Sequence, residues 1–128
     1  MYVYDNSEPS NCEAWKRLPS FYQEFITNMH NDLVNCAVDI FKDKYCVEVT
    51  SGFRSPAVNK RVGGVADSLH LHGLAIDFIL LKKDRWLSKV DLTMTIDREF
   101  LSKLNYDKNR YTLIFETNHF HLQFNRKS

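Results

Sequence analysis

The stretch Tyr111-Thr-Leu-Ile-Phe-Glu-Thr-Asn-His-Phe-His-Leu-Gln-Phe124 alternates in side-chain type on either side of Thr117-Asn118. Two alternating runs joined by two residues predict a β-hairpin, although Asn-Gly would be the favoured turn. With Thr117-Asn118 as the connection, Glu116 lies opposite His119, Ile114 opposite His121 and Thr112 opposite Gln123. Opposed residues of an antiparallel pair project from one face, so Glu116, His119 and His121 share a face. The other face is Tyr111, Leu113, Phe115, Phe120, Leu122 and Phe124, all apolar or aromatic. A sheet this greasy on one side leaves its other side to water or to function.

The greasy face needs a partner, and the stretch after Ser20 supplies one. Tyr22, Phe25, Ile26, Met29, Leu33, Cys36, Ala37 and Ile40 recur at three- and four-residue spacing, and Ser20 with Gln23 has the form of a capping box. This predicts a long amphipathic helix, with His30 beside its stripe as a structural or surface residue. Tyr45 to Thr50 is β-branched and alternating and predicts a strand broken by Ser51-Gly52. Ser55-Pro56 then opens a short helix through Arg61 that stops at Gly63-Gly64. Residues 65–72 form a loop. From Gly73 to Leu81 a strand puts Ala75, Asp77 and Ile79 on one face and Leu74, Ile76, Phe78 and Leu80 on the other, with Gly73 supplying the bend before it. Residues 84–90 admit one or two helical turns, and residues 97–104 a second helix with Phe100, Leu101 and Leu104 inward.

These elements predict one α+β domain over residues 1–128, in which one face of a small antiparallel sheet packs on helices. The first nineteen residues, turn-rich with Pro9 and Pro19 around Trp15, are expected to wrap it as an irregular arm. A length of 128 residues leaves little room for a second core, and 44% hydrophobic and 13% aromatic residues belong to a folded globule. With 17 basic and 16 acidic residues interspersed, no face attracts nucleic acid, and no apolar run is long enough to span a membrane. Cys12, Cys36 and Cys46 are odd in number and lack metal-binding spacing, so buried thiols are expected, with room for one bridge at most. Met1-Tyr-Val-Tyr-Asp-Asn-Ser-Glu-Pro9 has neither a basic n-region nor an apolar h-region, so no signal peptide is expected within these residues. The expected location is the periplasm or cell wall if a leader has been removed, and the cytoplasm, or release by a phage, if not.

Chemistry concentrates in Ser68-Leu-His-Leu-His-Gly-Leu-Ala-Ile-Asp77 and Glu116-Thr-Asn-His-Phe-His121. His70, Asp77 and the pair His119/His121 can converge if the Asp77 strand lies beside the hairpin and the preceding loop swings His70 over the sheet. Two imidazoles and one carboxylate make a three-ligand site with an open fourth position, which is what a catalytic zinc requires. The same set describes the facial triad of non-heme iron, but those triads place His and carboxylate closer in sequence, so zinc is preferred.

At these residues the chain resembles the zinc D-alanyl-D-alanine carboxypeptidase family of peptidoglycan peptidases. Ser68, His70, Gly73, Ala75 and Asp77 match its Ser-x-His-x-x-Gly-x-Ala-x-Asp pattern. Ser51-Gly-Phe-Arg-Ser-Pro-Ala-Val-Asn59 with Val62-Gly63-Gly64 is similar to its Arg-bearing segment, and His119-Phe-His-Leu122 to its His-x-His strand. The hedgehog signalling domain shares this zinc scaffold, and the chain resembles it too. The resemblance implies His70, Asp77 and His121 as ligands of Zn2+, Arg54 as a catalytic and substrate-binding residue, and Ser68 as a substrate hydrogen-bonding group. It further implies Glu116 as general base with His119 stabilising the oxyanion. Many relatives place the catalytic Glu where this chain has Asn118, which leaves the division of labour between Glu116 and His119 open. The implied substrate is a peptidoglycan stem peptide or its precursor, and the chain is expected to be a monomer. An endopeptidase of phage-lysin type and a zinc-bearing binding module are the alternatives.

Overall fold

A computed structural model describes residues 3–41, 45–83, 89–96 and 98–125. The longest element is helix α2, Ser20–Phe41, after a short helix α1, Pro9–Lys16. The buried residues of α2 are Ile26, His30, Leu33, Ala37 and Phe41, a three- and four-residue repeat that keeps one stripe against the sheet. His30 thus sits within the stripe as a buried structural residue, whereas Phe25, expected inward, is exposed. No capping box forms at Ser20. Ser20 is already helical, the amides of Tyr22 and Gln23 bond to Pro19 O, and Gln23 Nε2 donates to Trp15 O.

The expected irregular arm is corrected by α1. Pro9 stands in its first turn, where a missing N–H costs nothing, and Asn11 is its buried anchor. Asn11 Oδ1 accepts from the Ser55 amide at 2.8 Å, fastening α1 to the segment that carries Arg54. The arm also forms an isolated parallel bridge between Tyr4 and Phe53.

Strand β1 (Cys46–Ser51), helix α3 (Pro56–Arg61) and strand β2 (Ala75–Lys83) follow, then β3 (Lys89–Asp91), helix α4 (Arg98–Ser102), β4 (Tyr111–Phe115) and β5 (Phe120–Phe124). Every strand pairing is antiparallel, in the order β1-β2-β5-β4, with β3 also on β2. The expected helical turns over residues 84–90 meet strand β3 at Lys89, while residues 84–88 lie outside the described residues. The fold is therefore α+β with a small antiparallel sheet, as expected.

Ile76, Phe78 and Leu80 of β2 and Phe120 and Leu122 of β5 meet Leu33, Ala37 and Phe41 of α2 in the core. Phe78 and Phe120 stack at 5.4 Å, and Phe41 packs on both at 5.9 and 5.3 Å. A hairpin alone is marginal in water, whereas each buried Phe is worth ~1.5–3 kcal/mol. This aromatic trio therefore seats β5 against α2 and, through it, the opposite face of the sheet. Only Phe115 of the greasy face stays 40% exposed, near the hairpin tip. Phe100, Leu101 and Leu104 pack against the same core. The cysteines are unpaired, and Cys12 and Cys36 are half-buried with Cys46 exposed, so the buried thiols expected are not seen. No described helix is long and apolar enough to cross a membrane.

Candidate metal centre

The hairpin has the register read from its sequence. Ile114 pairs with His121 and Thr112 with Gln123, and the Glu116 amide bonds to His119 O at 2.8 Å. On the other side of β5, Asp77 pairs with His121, which puts carboxylate and imidazole on one face. His70 arrives from a 3₁₀ turn, Leu69–His72, where a loop was expected. Ser68 Oγ caps that turn by accepting from the His70 amide at 3.2 Å, and Gly73 ends it at φ 70°. A Cβ at Gly73 would overlap the Ile26 side chain as well as strain the backbone, so only glycine brings the turn this close to α2.

One oxygen of Asp77 is the meeting point. Asp77 Oδ1 lies 3.2 Å from His70 Nε2 and 3.1 Å from His121 Nδ1. The outer ring nitrogens are also engaged, His70 Nδ1 with Gly52 O at 2.9 Å and His121 Nε2 with Gln123 Oε1 at 2.8 Å. Both outer partners are acceptors, so in a neutral ring each outer nitrogen carries the proton and each inner nitrogen a lone pair. Two lone pairs and a carboxylate oxygen then face one another, an arrangement that repels itself until a cation stands between them.

The dimensions suit zinc. Ligand atoms ~2.0–2.1 Å from a tetrahedral ion stand about 3.3 Å apart, close to the observed separations, and one ligand atom from each residue lies within 4.8 Å of the others. Outer-nitrogen hydrogen bonds are the usual support of metal-bound histidines. His70, Asp77 and His121 fit a divalent ion with an N2O donor set.

The second oxygen of Asp77 belongs to Arg54, whose Nη2 donates to Oδ2 at 2.8 Å. Arg54 Nε donates to Ser51 Oγ at 3.1 Å and Nη1 reaches Asn59 Oδ1 at 3.5 Å. Asn59 is buried and ties the following loop through Val65 O, so α3 and its glycine exit brace the guanidinium. Burial alone would raise the Asp77 carboxyl. The hydrogen bonds that His121 and His70 donate in their charged forms, with the charges of His70 and Arg54, outweigh it and hold Asp77 well below the usual carboxylate range. Burial would lower His121, but Asp77 and Gln123 carry it above its ordinary value.

The remaining expected residues stand around this centre. His119 is one-third exposed, with Nε2 3.8 Å from Asp77 Oδ2 and Nδ1 2.9 Å from Asn118 Oδ1, outside the three-residue ligand group. Glu116 is exposed at the hairpin mouth, close enough for its charge to raise His121. Ser68 is buried with its hydroxyl serving the His70 turn. Three supporting groups were not singled out from the sequence: the Gly52 carbonyl, Asn59 as a brace, and Gln123. Only Gln123 carries a signal, its place two residues beyond His121 on the same strand face.

The family model Peptidase M15 matches residues 22–112, from α2 through Arg54, His70 and Asp77 to the start of β4. Comparison with curated proteins and with solved structures gives no match. His121 lies beyond the matched segment, and its membership of the ligand group is a matter of geometry. With a family match over most of its length and a three-ligand centre of the right chemistry, the chain belongs to the Peptidase M15 family of zinc-dependent metallopeptidases.

Proposed function

We propose that this chain is a peptidoglycan peptidase that acts as a D-alanyl-D-alanine carboxypeptidase, releasing the terminal D-alanine of a stem peptide. The observation that carries this reading is the convergence of His70 Nε2, Asp77 Oδ1 and His121 Nδ1 in a member of a metallopeptidase family. Zinc held by these atoms supplies an acidified water, with a pKa near ~7, and a Lewis acid for the scissile carbonyl.

The surrounding residues then divide the work. Glu116, exposed beside His121, takes the proton of the attacking water and returns it to the leaving amine. His119 Nδ1 pairs with Asn118 Oδ1 and leaves Nε2 on the side of the centre, where an N–H would meet the developing oxyanion. Arg54 keeps one N–H on each of Nη1 and Nη2 beyond those used by Asn59 and Asp77, donors that could serve a substrate oxygen. Ser68 contributes through the His70 turn, with its hydroxyl hydrogen left to donate.

Arg54 also favours a second reading, an endopeptidase cutting crosslinks. Each of its three nitrogens already has a protein partner, so it is a partial clamp for the free carboxylate that carboxypeptidase action needs. Incubation with a defined stem pentapeptide and a crosslinked dimer, with and without chelator, followed by mass analysis separates the two. Chelator-sensitive loss of one D-alanine from the pentapeptide supports the carboxypeptidase, and cleavage of the dimer alone supports the endopeptidase. Zinc at one per chain with no turnover of either would overturn both and leave a metal-bearing binding module.

A further inference from the structure

The two imidazoles of the centre are held from behind by acceptors of different kinds. His70 relies on the main chain, through Gly52 O, whereas His121 relies on a side chain, through Gln123 Oε1. Gln123 lies on β5 two residues after His121, so both project from the same face, and it pairs with Thr112 on β4 and Ala75 on β2. Flanked by strands on both sides, its backbone is fixed and its amide is aimed along the sheet at His121.

A neutral His121 has a competing arrangement. With its proton on Nδ1 it would donate to Asp77 Oδ1 at the observed 3.1 Å, a sound charge-assisted hydrogen bond, and Nδ1 would then have no lone pair for a metal. With Oε1 turned toward the ring, Gln123 opposes that option by accepting the proton of the outer nitrogen. We propose that Gln123 is a positioning residue for metal capture, which sets the His121 tautomer so that Nδ1 presents its lone pair beside Asp77 Oδ1. The proposal rests on the metallopeptidase reading of the site and deepens it. Gly52 O does the same for His70 and cannot be removed by a side-chain substitution, which makes Gln123 the point at which the principle can be tested.

The experiment compares wild type, Gln123→Met and Gln123→Glu by zinc competition against a chromophoric chelator. Thermal unfolding and long-range 15N correlation spectra of the metal-free proteins are taken at alkaline pH, where the ring is neutral. Gln123→Met keeps the volume and offers only a weak acceptor. It is expected to bind zinc ~10–100-fold more weakly, with metal-free stability little changed and His121 shifted toward Nδ1–H. Gln123→Glu keeps the acceptor and is expected to bind at least as tightly as wild type. Equal zinc affinity in the Met variant, or a Glu variant as weak as the Met variant, overturns the proposal. Should Gln123→Met fail to fold, the wild-type spectrum decides, since His121 protonated on Nδ1 also overturns it. Failure of wild type to bind zinc sinks the metallopeptidase reading instead, while the spectra still report whether Gln123 sets the tautomer.

Discussion

Arg54 Nη2 and Asp77 Oδ2 lie 2.8 Å apart, with 13% and 8% of their side chains exposed, so a guanidinium occupies the carboxylate oxygen that His70 and His121 leave unused. Asp77 is left to offer one oxygen to a metal. Removing one partner of a buried pair strands the other, at a cost of ~3–5 kcal/mol. Arg54→Ala is expected to lower the stability of the metal-free protein by an amount in that range. Arg54→Lys keeps the charge but cannot reach Ser51 and Asp77 together, and should fall between. Urea unfolding in the presence of chelator checks the order.

Zinc binding is expected at one per chain, to raise Tm, and to be lost in His121→Ala. Its pH dependence has a definite sign. The folded pKa of His121 is raised, so its protonation stabilises the metal-free fold fully below about 6.5, and that contribution fades as pH rises through the folded value. A metal needs the neutral ring, so affinity climbs over the same interval. Calorimetric titration at several pH values, in buffers of different ionisation enthalpy, reads both affinity and proton release.

Glu116→Gln and His119→Ala separate proton transfer from metal binding. Both side chains lie outside the ligand group, so zinc content should match wild type in each. With Glu116 as the base, Glu116→Gln is expected to lower kcat by ~10²–10⁴-fold, and His119→Ala by ~10²–10³-fold through loss of an oxyanion donor. A larger loss at His119 would exchange the two roles. Steady-state kinetics with metal analysis on the same samples decides.

His30 makes a prediction far from the centre. Burial pulls its pKa from 6.5 to about 4, so between those values the unfolded chain holds a proton that the folded one refuses. Stability should fall on acidification from pH 6.5 and level off near 4, by up to about 3 kcal/mol. His30→Gln should flatten that slope, measured by denaturant midpoints across the range.

Gly73→Ala is expected to destabilise the fold and weaken zinc binding together. The left-handed backbone costs an L residue ~1–2 kcal/mol and the overlap with Ile26 a further ~1–3 kcal/mol. The turn that carries His70 would move to relieve both. Differential scanning calorimetry and zinc competition on one preparation test the linkage.

The hairpin was legible because a two-residue connection leaves one register, and register assigns every side chain to a face. Asp77 was assigned to a face by alternation, but its pairing with His121 depends on which strands lie side by side, a matter of tertiary packing. The Arg54–Asp77 pair, 23 residues apart, was hidden for the same reason. Helix α1 escaped because only Ala14, Trp15 and Cys12 are apolar in its eight residues, too few to mark a stripe. His30 fits the spacing of the α2 stripe, yet its polar type argued for a place beside it. Ser20 had the composition of a cap without the geometry, since the preceding Pro19 already meets the first helical amides.

The separations along the chain carry a consequence for how the molecule is made. His70 and Asp77 are seven residues apart, but Asp77 and His121 are separated by 44, and they meet only when β5 docks between β2 and β4. A nascent chain that has presented His70 and Asp77 has two of its three ligands and holds metal weakly. The third arrives with the strand that also brings Phe120 onto Phe41 and Phe78. Closing so long a loop comes late in folding, so metal capture reports completion of the sheet, and hydrolytic competence cannot precede it.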